Sequence, residues 1–375
     1  MKMNFLCSVN LKGGFQTSTL TSTSNQISSI IGWRATRTVV GIKCDWVTCH
    51  ADCVWSLELT GNVYHNWEGH RISINCASVI SNKKGQLYAI GGTDRFLLEE
   101  ATGEIIAHTS SQSSPTDYAF LGKDELIIPE GQLLSAYDPI SLDLKWSKTT
   151  PNNKWMSSSP INNVVLLQDE PDKTTIIWNF RTDQIWEIPK AICPIQVLSI
   201  SDDLVVISAG FDSTRQLIAF DLKDGLERWS YNYAENYESH RYDNDQTPRL
   251  DHPLIREGES MFVATMKPSL EAVSLVNGTQ LWSVDLTSKP TALALQKEAD
   301  LVWVSTATGE VISVDLKSGV IVDHSPGVIL SKLNGMDCDF PYQTIPISIL
   351  PISDQSIPAT AIITMRLGGI YYITS

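Results

Sequence analysis

The chemistry-bearing residues of this chain crowd into one stretch, YNYAENYESHRYDNDQTPRLDHP, residues 231–253. His240, Asp251 and His252 have the types needed for general acid–base work: an imidazole to move the proton and a carboxylate to orient it. His240, Asp243, Asp245, Asp251 and His252 also form a mixed imidazole–carboxylate set of the kind that binds divalent metals. Their spacing matches neither an EF-hand nor an HExxH helix, so no metal is expected. A polar ligand pocket asks less. Tyr237 and Tyr242 supply stacking rings, and Arg241, Asp243, Asp245 and Arg249 supply hydrogen bonds and charge. A second stretch, HSPGVILSKLNGMDCDFPYQT at 324–344, adds Asp337 and Asp339. A third, CDWVTCHADC, holds Cys44, Cys49, His50 and Cys53, but lacks the CxxC knuckle of a zinc site, so a structural role is expected, with Cys53 a buried free thiol at the head of a strand. Asn277-Gly-Thr is a glycosylation sequon placed in a hairpin turn.

The scaffold under these residues is a repeat. LIAFDLKDGLERW (217–229), LEAVSLVNGTQLW (270–282) and VISVDLKSGVIVD (311–323) each read strand, polar turn with Gly, strand. The Gly falls four residues after a fixed marker (Asp221, Ser274, Asp315), where a tight connection needs the positive φ that Gly adopts freely. A Trp falls eight after the marker, with Asp323 in that place in the last copy. The frame extends to markers Glu99 and Asp138, with a one-residue slip to Glu58 and Asn179, and to Ser375. Successive spacings are 41, 39, 41, 42, 53, 41 and 60.

A period of about 40 residues with strand–turn–strand content predicts a β-propeller, one four-stranded blade per repeat. The expectation is all-β: a single domain over 1–375 with eight blades, or seven if the segment before Trp55 is not a full blade. The last marker ends the chain, so the last blade lacks its fourth strand. The strand around Phe5–Leu11 is expected to supply it and close the ring, which removes exposed edges. The two wide spacings place insertions at 231–253 and 324–344, both between a fourth strand and the next first strand. The cysteine stretch is expected between the second and third strands of blade one. All three would then lie on one face.

The pattern in AFDLKDGLERW, AVSLVNGTQLW and SAYDPISLDLKW resembles the quinoprotein-type, or PQQ-like, propeller repeat. The resemblance implies a ring with a central channel. The chain has no adjacent Cys-Cys pair of the dehydrogenase branch and no lipobox, so the resemblance points to the cofactor-free branch, and no cofactor is expected.

The formal net charge of −14 disfavours nucleic acid and anionic membrane surfaces as partners. Seven scattered cysteines and no apolar leader or spanning segment give the expectation of a soluble, cytoplasmic protein. Two functional readings follow. In the first, the chain is a binding module that presents one loop-rich face to a protein or peptide. In the second, it is a non-redox enzyme (lyase, cyclase, isomerase or hydrolase) acting on a small molecule at the channel mouth.

Overall fold

The computed structural model describes residues 2–8, 21–23, 26–33, 36–45, 50–59, 64–65, 71–72, 78–82, 84–112, 119–130, 132–151, 155–156, 163–168, 175–188, 194–200, 203–209, 216–232, 254–264, 268–288, 290–326, 346–351, 361–365 and 369–374. Among these residues the regular structure is strand, apart from one short 3-10 turn at Lys297–Ala299. The strands form eight four-stranded antiparallel sheets and one two-stranded ribbon, Tyr64–His65 with Arg71–Ile72. Seven of the eight sheets are continuous meanders, and the eighth joins the two chain ends.

The chain divides into two compact units. The first comprises residues 1–57, 240–274 and 280–375. It carries the sheets spanning 21–58 and 290–325 and the strands, though not the 275–279 turn, of the sheet spanning 254–285. It also carries the sheet in which Lys2–Ser8 pairs antiparallel with Gly369–Thr374, beyond Ala361–Met365 and Pro346–Pro351. This N-terminal strand starts ahead of the expected Phe5, and residues 9–11 fall outside the described residues. The second unit, residues 58–239 with 275–279, carries the sheets spanning 78–110, 120–149, 155–188 and 194–232.

Burial follows strand position. The second and third strands of a sheet are buried on both faces, as in Gln86–Gly91 and Asp94–Glu99, while the fourth alternates at the surface, as in Ile105–Ser110. A strand apolar on both faces must be covered on both, and here neighbouring sheets cover it. In the second unit Tyr88, Ile90 and Leu97 meet Leu126, Ile128 and Leu142, and Val164, Leu166 and Ile177 meet Val205, Ile207 and Phe220. In the first unit Leu270 and Ala272 meet Val302, Val304 and Val314.

The repeat marker has a structural reason. It ends the third strand or directly follows it, and its side chain closes the turn into the fourth. Asp138 Oδ1 accepts the N–H groups of Ile140 (2.9 Å) and Ser141 (3.0 Å), and Asp315 Oδ1 those of Lys317 (3.1 Å) and Ser318 (2.8 Å). Asn179 does the same toward Arg181 and Thr182. Four residues on, the N–H of Gly225 or Gly319 donates back to the marker carbonyl, and both glycines hold φ near +70°. Asp in such a turn satisfies backbone donors that the strand ladder cannot reach.

The Trp eight places after the marker crosses to the next repeat. Trp282 Nε1 donates to the Leu316 carbonyl at 3.1 Å, and Trp186 Nε1, seven places after its marker Asn179, to that of Leu222. The Trp282 indole lies against Gly319, with Cδ2 only 2.7 Å from where a Cβ would stand; Trp229 does the same at Gly278, at 2.5 Å.

One expectation is corrected. The strand His50–Glu58 is the fourth of its sheet, because Thr21–Thr23 and Gln26–Trp33 supply two strands ahead of Thr36–Asp45. The cysteine stretch 44–53 therefore bridges the third and fourth strands, not the second and third. Asp45, not Glu58, ends the third strand.

Candidate functional site

The residues singled out from the sequence lie outside the described residues. This holds for the catalytic candidates His240, Asp251 and His252 and for the ligand candidates Tyr237, Arg241, Tyr242, Asp243, Asp245, Arg249, Asp337 and Asp339. The structure fixes where both insertions leave. The first follows the strand Glu227–Asn232, the fourth of its sheet, and the chain resumes at Leu254–Glu257, a first strand. The second follows Ile321–Ser325, again a fourth strand, and resumes at the first strand Pro346–Pro351.

At the root of the second insertion stands a pair that the sequence reading passed over. His324 Nε2 meets Glu310 Oε1 at 2.5 Å. Glu310 closes the hairpin between the second and third strands, where the Thr306 N–H donates to its carbonyl at 2.9 Å. The carboxylate is buried, with a side chain 5% exposed, while the imidazole is 47% exposed. Thr287 donates its hydroxyl to Glu310 Oε2. Beside it, the Ser288 and Thr308 hydroxyls lie 2.8 Å apart. A carboxylate this dry needs such partners, since an unpaired buried charge is costly.

The sheet spanning 78–110 repeats the arrangement. His108 Nε2 lies 3.1 Å from Asp94 Oδ1, and the Ser110 hydroxyl donates to the same oxygen at 3.3 Å. The imidazole stacks on Phe96, with centroids 4.3 Å apart and planes 13° from parallel. Both pairs occupy the same repeat positions, the carboxylate five before the marker and the histidine nine after it. That offset was present in the sequence as Asp94–Glu99–His108 and Glu310–Asp315–His324. In each pair a carboxylate fixes one ring nitrogen and leaves the ring half in solvent.

Among the described residues of the cysteine stretch, Cys53 is a free thiol on the surface, not buried as expected, and its Sγ–H donates to the Trp55 carbonyl at 3.4 Å. Partial burial pushes its pKa up. No group of three or more metal-capable side chains occurs among the described residues.

With the repeat geometry in place, the comparisons with known proteins decide the family. Residues 54–326 match the profile of the PQQ-like family described as outer membrane protein assembly factor BamB. The chain belongs to this family. No curated protein matches it. Solved structures that share its fold include the following three. BamB from Moraxella catarrhalis is 12% identical with a TM-score of 0.53, covering 99% of this chain and 97% of that one. The computationally designed Ika8 protein is 15% identical with a TM-score of 0.63, covering 99% of both chains. The C-terminal WD40 domain of Sif2 is 10% identical with a TM-score of 0.65, covering 100% of this chain and 99% of that one. The fold of this BamB-family chain is an all-β propeller.

Proposed function

We propose that this BamB-family chain is an interaction module: a cofactor-free propeller whose eight four-stranded sheets are eight blades of one ring, closed by the N-terminal strand. Its long connections, 231–253 and 324–344 foremost, hold a protein or peptide partner. The observation that carries this reading is the contrast between frame and connections. Described turns between third and fourth strands are clamped by side chain-to-backbone hydrogen bonds, as at Asp138, Asn179, Asp221 and Asp315. The two long insertions depart from the repeat and leave fourth strands that such turns position. Loops on a rigid frame are where propellers and similar scaffolds bind. The family's own description, an assembly factor, agrees with a scaffold that holds other proteins. The net charge of −14 favours a partner with a cationic surface, within the cytoplasmic setting expected from the cysteines.

The test places a photo-crosslinking amino acid at Tyr242, at Asp339 and, as a control, at Ile140 in a turn between third and fourth strands. Crosslinked partner at the first two sites and none at Ile140 supports the reading. Capture only at Ile140, or none anywhere, rejects it. A His240→Ala and His252→Ala double variant that keeps partner capture but loses turnover of a small molecule would move the assignment to the enzyme reading.

A further inference from the structure

The fourth strands end their sheets in the pairing order, and an edge strand presents unpaired backbone groups to any extended chain. Proteins blunt such edges with charge. Leu144–Thr149 carries two lysines, Glu227–Asn232 a glutamate and an arginine, Gln184–Ile188 a glutamate, and Gln280–Asp285 and Ile321–Ser325 an aspartate each. His50–Glu58 and Lys2–Ser8 are charged as well. Ile105–Ser110, IIAHTS, is the one terminal strand of the eight with no Asp, Glu, Lys or Arg. It also exposes apolar surface, with Ile105 at 50% and Ile106 at 44%.

Three features make this edge suited to a strand-shaped partner. Its pairing with Asp94–Glu99 skips Ile106, so a bulge turns that side chain outward. His108, held from behind by Asp94 and stacked on Phe96, gives the middle of the strand a fixed aromatic surface. The hairpin leading into it carries Glu99 and the exposed Glu104, on a chain of net charge −14.

We infer that Ile105–Ser110 is a β-augmentation site for an extended segment of another protein, with apolar and cationic side chains in alternation. Backbone hydrogen bonds supply the affinity, and the alternate side chains meet Ile105 and Ile106 on one face and the glutamates at one end. Charge selects against a second copy of this chain, which would bring another −14 to the same edge. The strand shares no residue with the insertions, so the inference stands or falls independently of the loop reading.

The experiment measures binding of an alternating valine–lysine hexapeptide to the full chain by fluorescence anisotropy, with a valine–glutamate hexapeptide as counter-probe. Lys replacements go in at Ile105 and Ile106, singly and together, and at the exposed Leu144 of a strand that already carries lysine. Expected is a loss of at least about tenfold in affinity for the Ile105→Lys/Ile106→Lys variant. Leu144→Lys should bind as the parent does. Hydrogen exchange of the Ile105–Ser110 amides should slow when the lysine peptide is added. Should the double variant not fold, the single Ile106→Lys change at the bulge carries the test. Equal loss at Leu144→Lys, equal binding of the glutamate peptide, unchanged exchange, or dimerisation of the chain through this strand each overturns the inference.

Discussion

Leu142 and Ala107 stand in the repeat positions that Gly319 and Trp282 occupy elsewhere, with the sizes reversed. Leu142 is fully buried in the cluster against which Ala107 packs, and it holds the left-handed φ of +59° that glycine takes in the other turns. Where Trp282 lies against Gly319, the large residue is on the fourth strand and the small one in the next turn. In the 78–110 sheet the fourth strand offers Ala107, and the turn of the 120–149 sheet offers the bulk. The two arrangements fill the same gap.

Replacing Leu142 by Gly should therefore destabilise, although it relieves backbone strain of about 1–2 kcal/mol. The buried side chain is worth more, since truncating a core Leu costs about 2–5 kcal/mol. Ala107→Trp alone overpacks the site, at a cost of about 1–3 kcal/mol. The double variant restores the Trp–Gly pairing, and its cost should fall below the sum of the single costs by about 0.5–3 kcal/mol. Urea unfolding of all four proteins checks this, and additive costs would refute the exchange.

The converse changes, Gly319→Ala and Gly278→Ala, should each destabilise through two effects. A Cβ would stand 2.7 Å from the Trp282 indole in one case and 2.5 Å from that of Trp229 in the other, and both backbones hold φ near +70°. Gly258 is the internal control, with φ +57° and nothing within 4 Å of a Cβ. Its Ala variant carries the backbone cost alone, about 1–2 kcal/mol. The expected ranking in thermal unfolding places Gly258→Ala nearest the parent. If all three lose the same amount, the indole contact contributes nothing.

These positions show what could be read without coordinates. The Gly, the marker and the Trp were visible because each answers to a local rule: positive φ, turn capping, or a large apolar residue at fixed spacing. The all-β repeat followed from them. The first sheet was misframed because Glu58 mimics a marker while ending a fourth strand, and Asp45, which ends the third, is followed by no glycine at the expected place. The His–carboxylate pairs escaped because their partners lie 14 residues apart in sequence and meet only when the third and fourth strands pair. The candidates at 240–252 drew attention through composition, which says what residues could do and nothing about whether they converge.

The marker aspartates should make the fold acid-sensitive. Hydrogen bonds from the Ser141 and Ile140 N–H groups, with Lys145 behind them, hold Asp138 down at about 2. Asp221 is lowered by Arg228 and then the Lys223 N–H, and Asp315 by the Ser318 hydroxyl and N–H. A carboxylate whose pKa is lower in the folded state stabilises fully above its unfolded value, about 3.9. That contribution is lost as the pH falls toward about 2. Stability measured by urea should drop across this window. The variant Asp138→Asn/Asp221→Asn/Asp315→Asn should start lower at neutral pH and show a shallower drop. An unchanged slope would mean that these turns do not report on acid unfolding.

Arg95 and Glu130 form an ion pair inside the second unit, with side chains 0% and 2% exposed. Arg95 Nη1 also donates to the Gly92 and Asp94 carbonyls, at 3.3 and 3.2 Å, and Glu130 accepts the Ser135 hydroxyl at 2.7 Å. Glu130 pushes the Tyr137 hydroxyl up as a second cause behind burial. The pair joins the third strand of the 78–110 sheet to the second strand of the 120–149 sheet, so it ties one repeat to the next. Removing one partner strands a charge in a dry site. Glu130→Leu or Arg95→Met alone should therefore cost about 3–5 kcal/mol. Removing both together leaves no buried charge unpaired, and the double variant should lie closer to the parent than either single one. The discriminating measurement is a double-mutant cycle in urea at neutral pH. A double variant that loses the sum of the single costs would show that the two side chains act independently and that the pair does not hold the two sheets together.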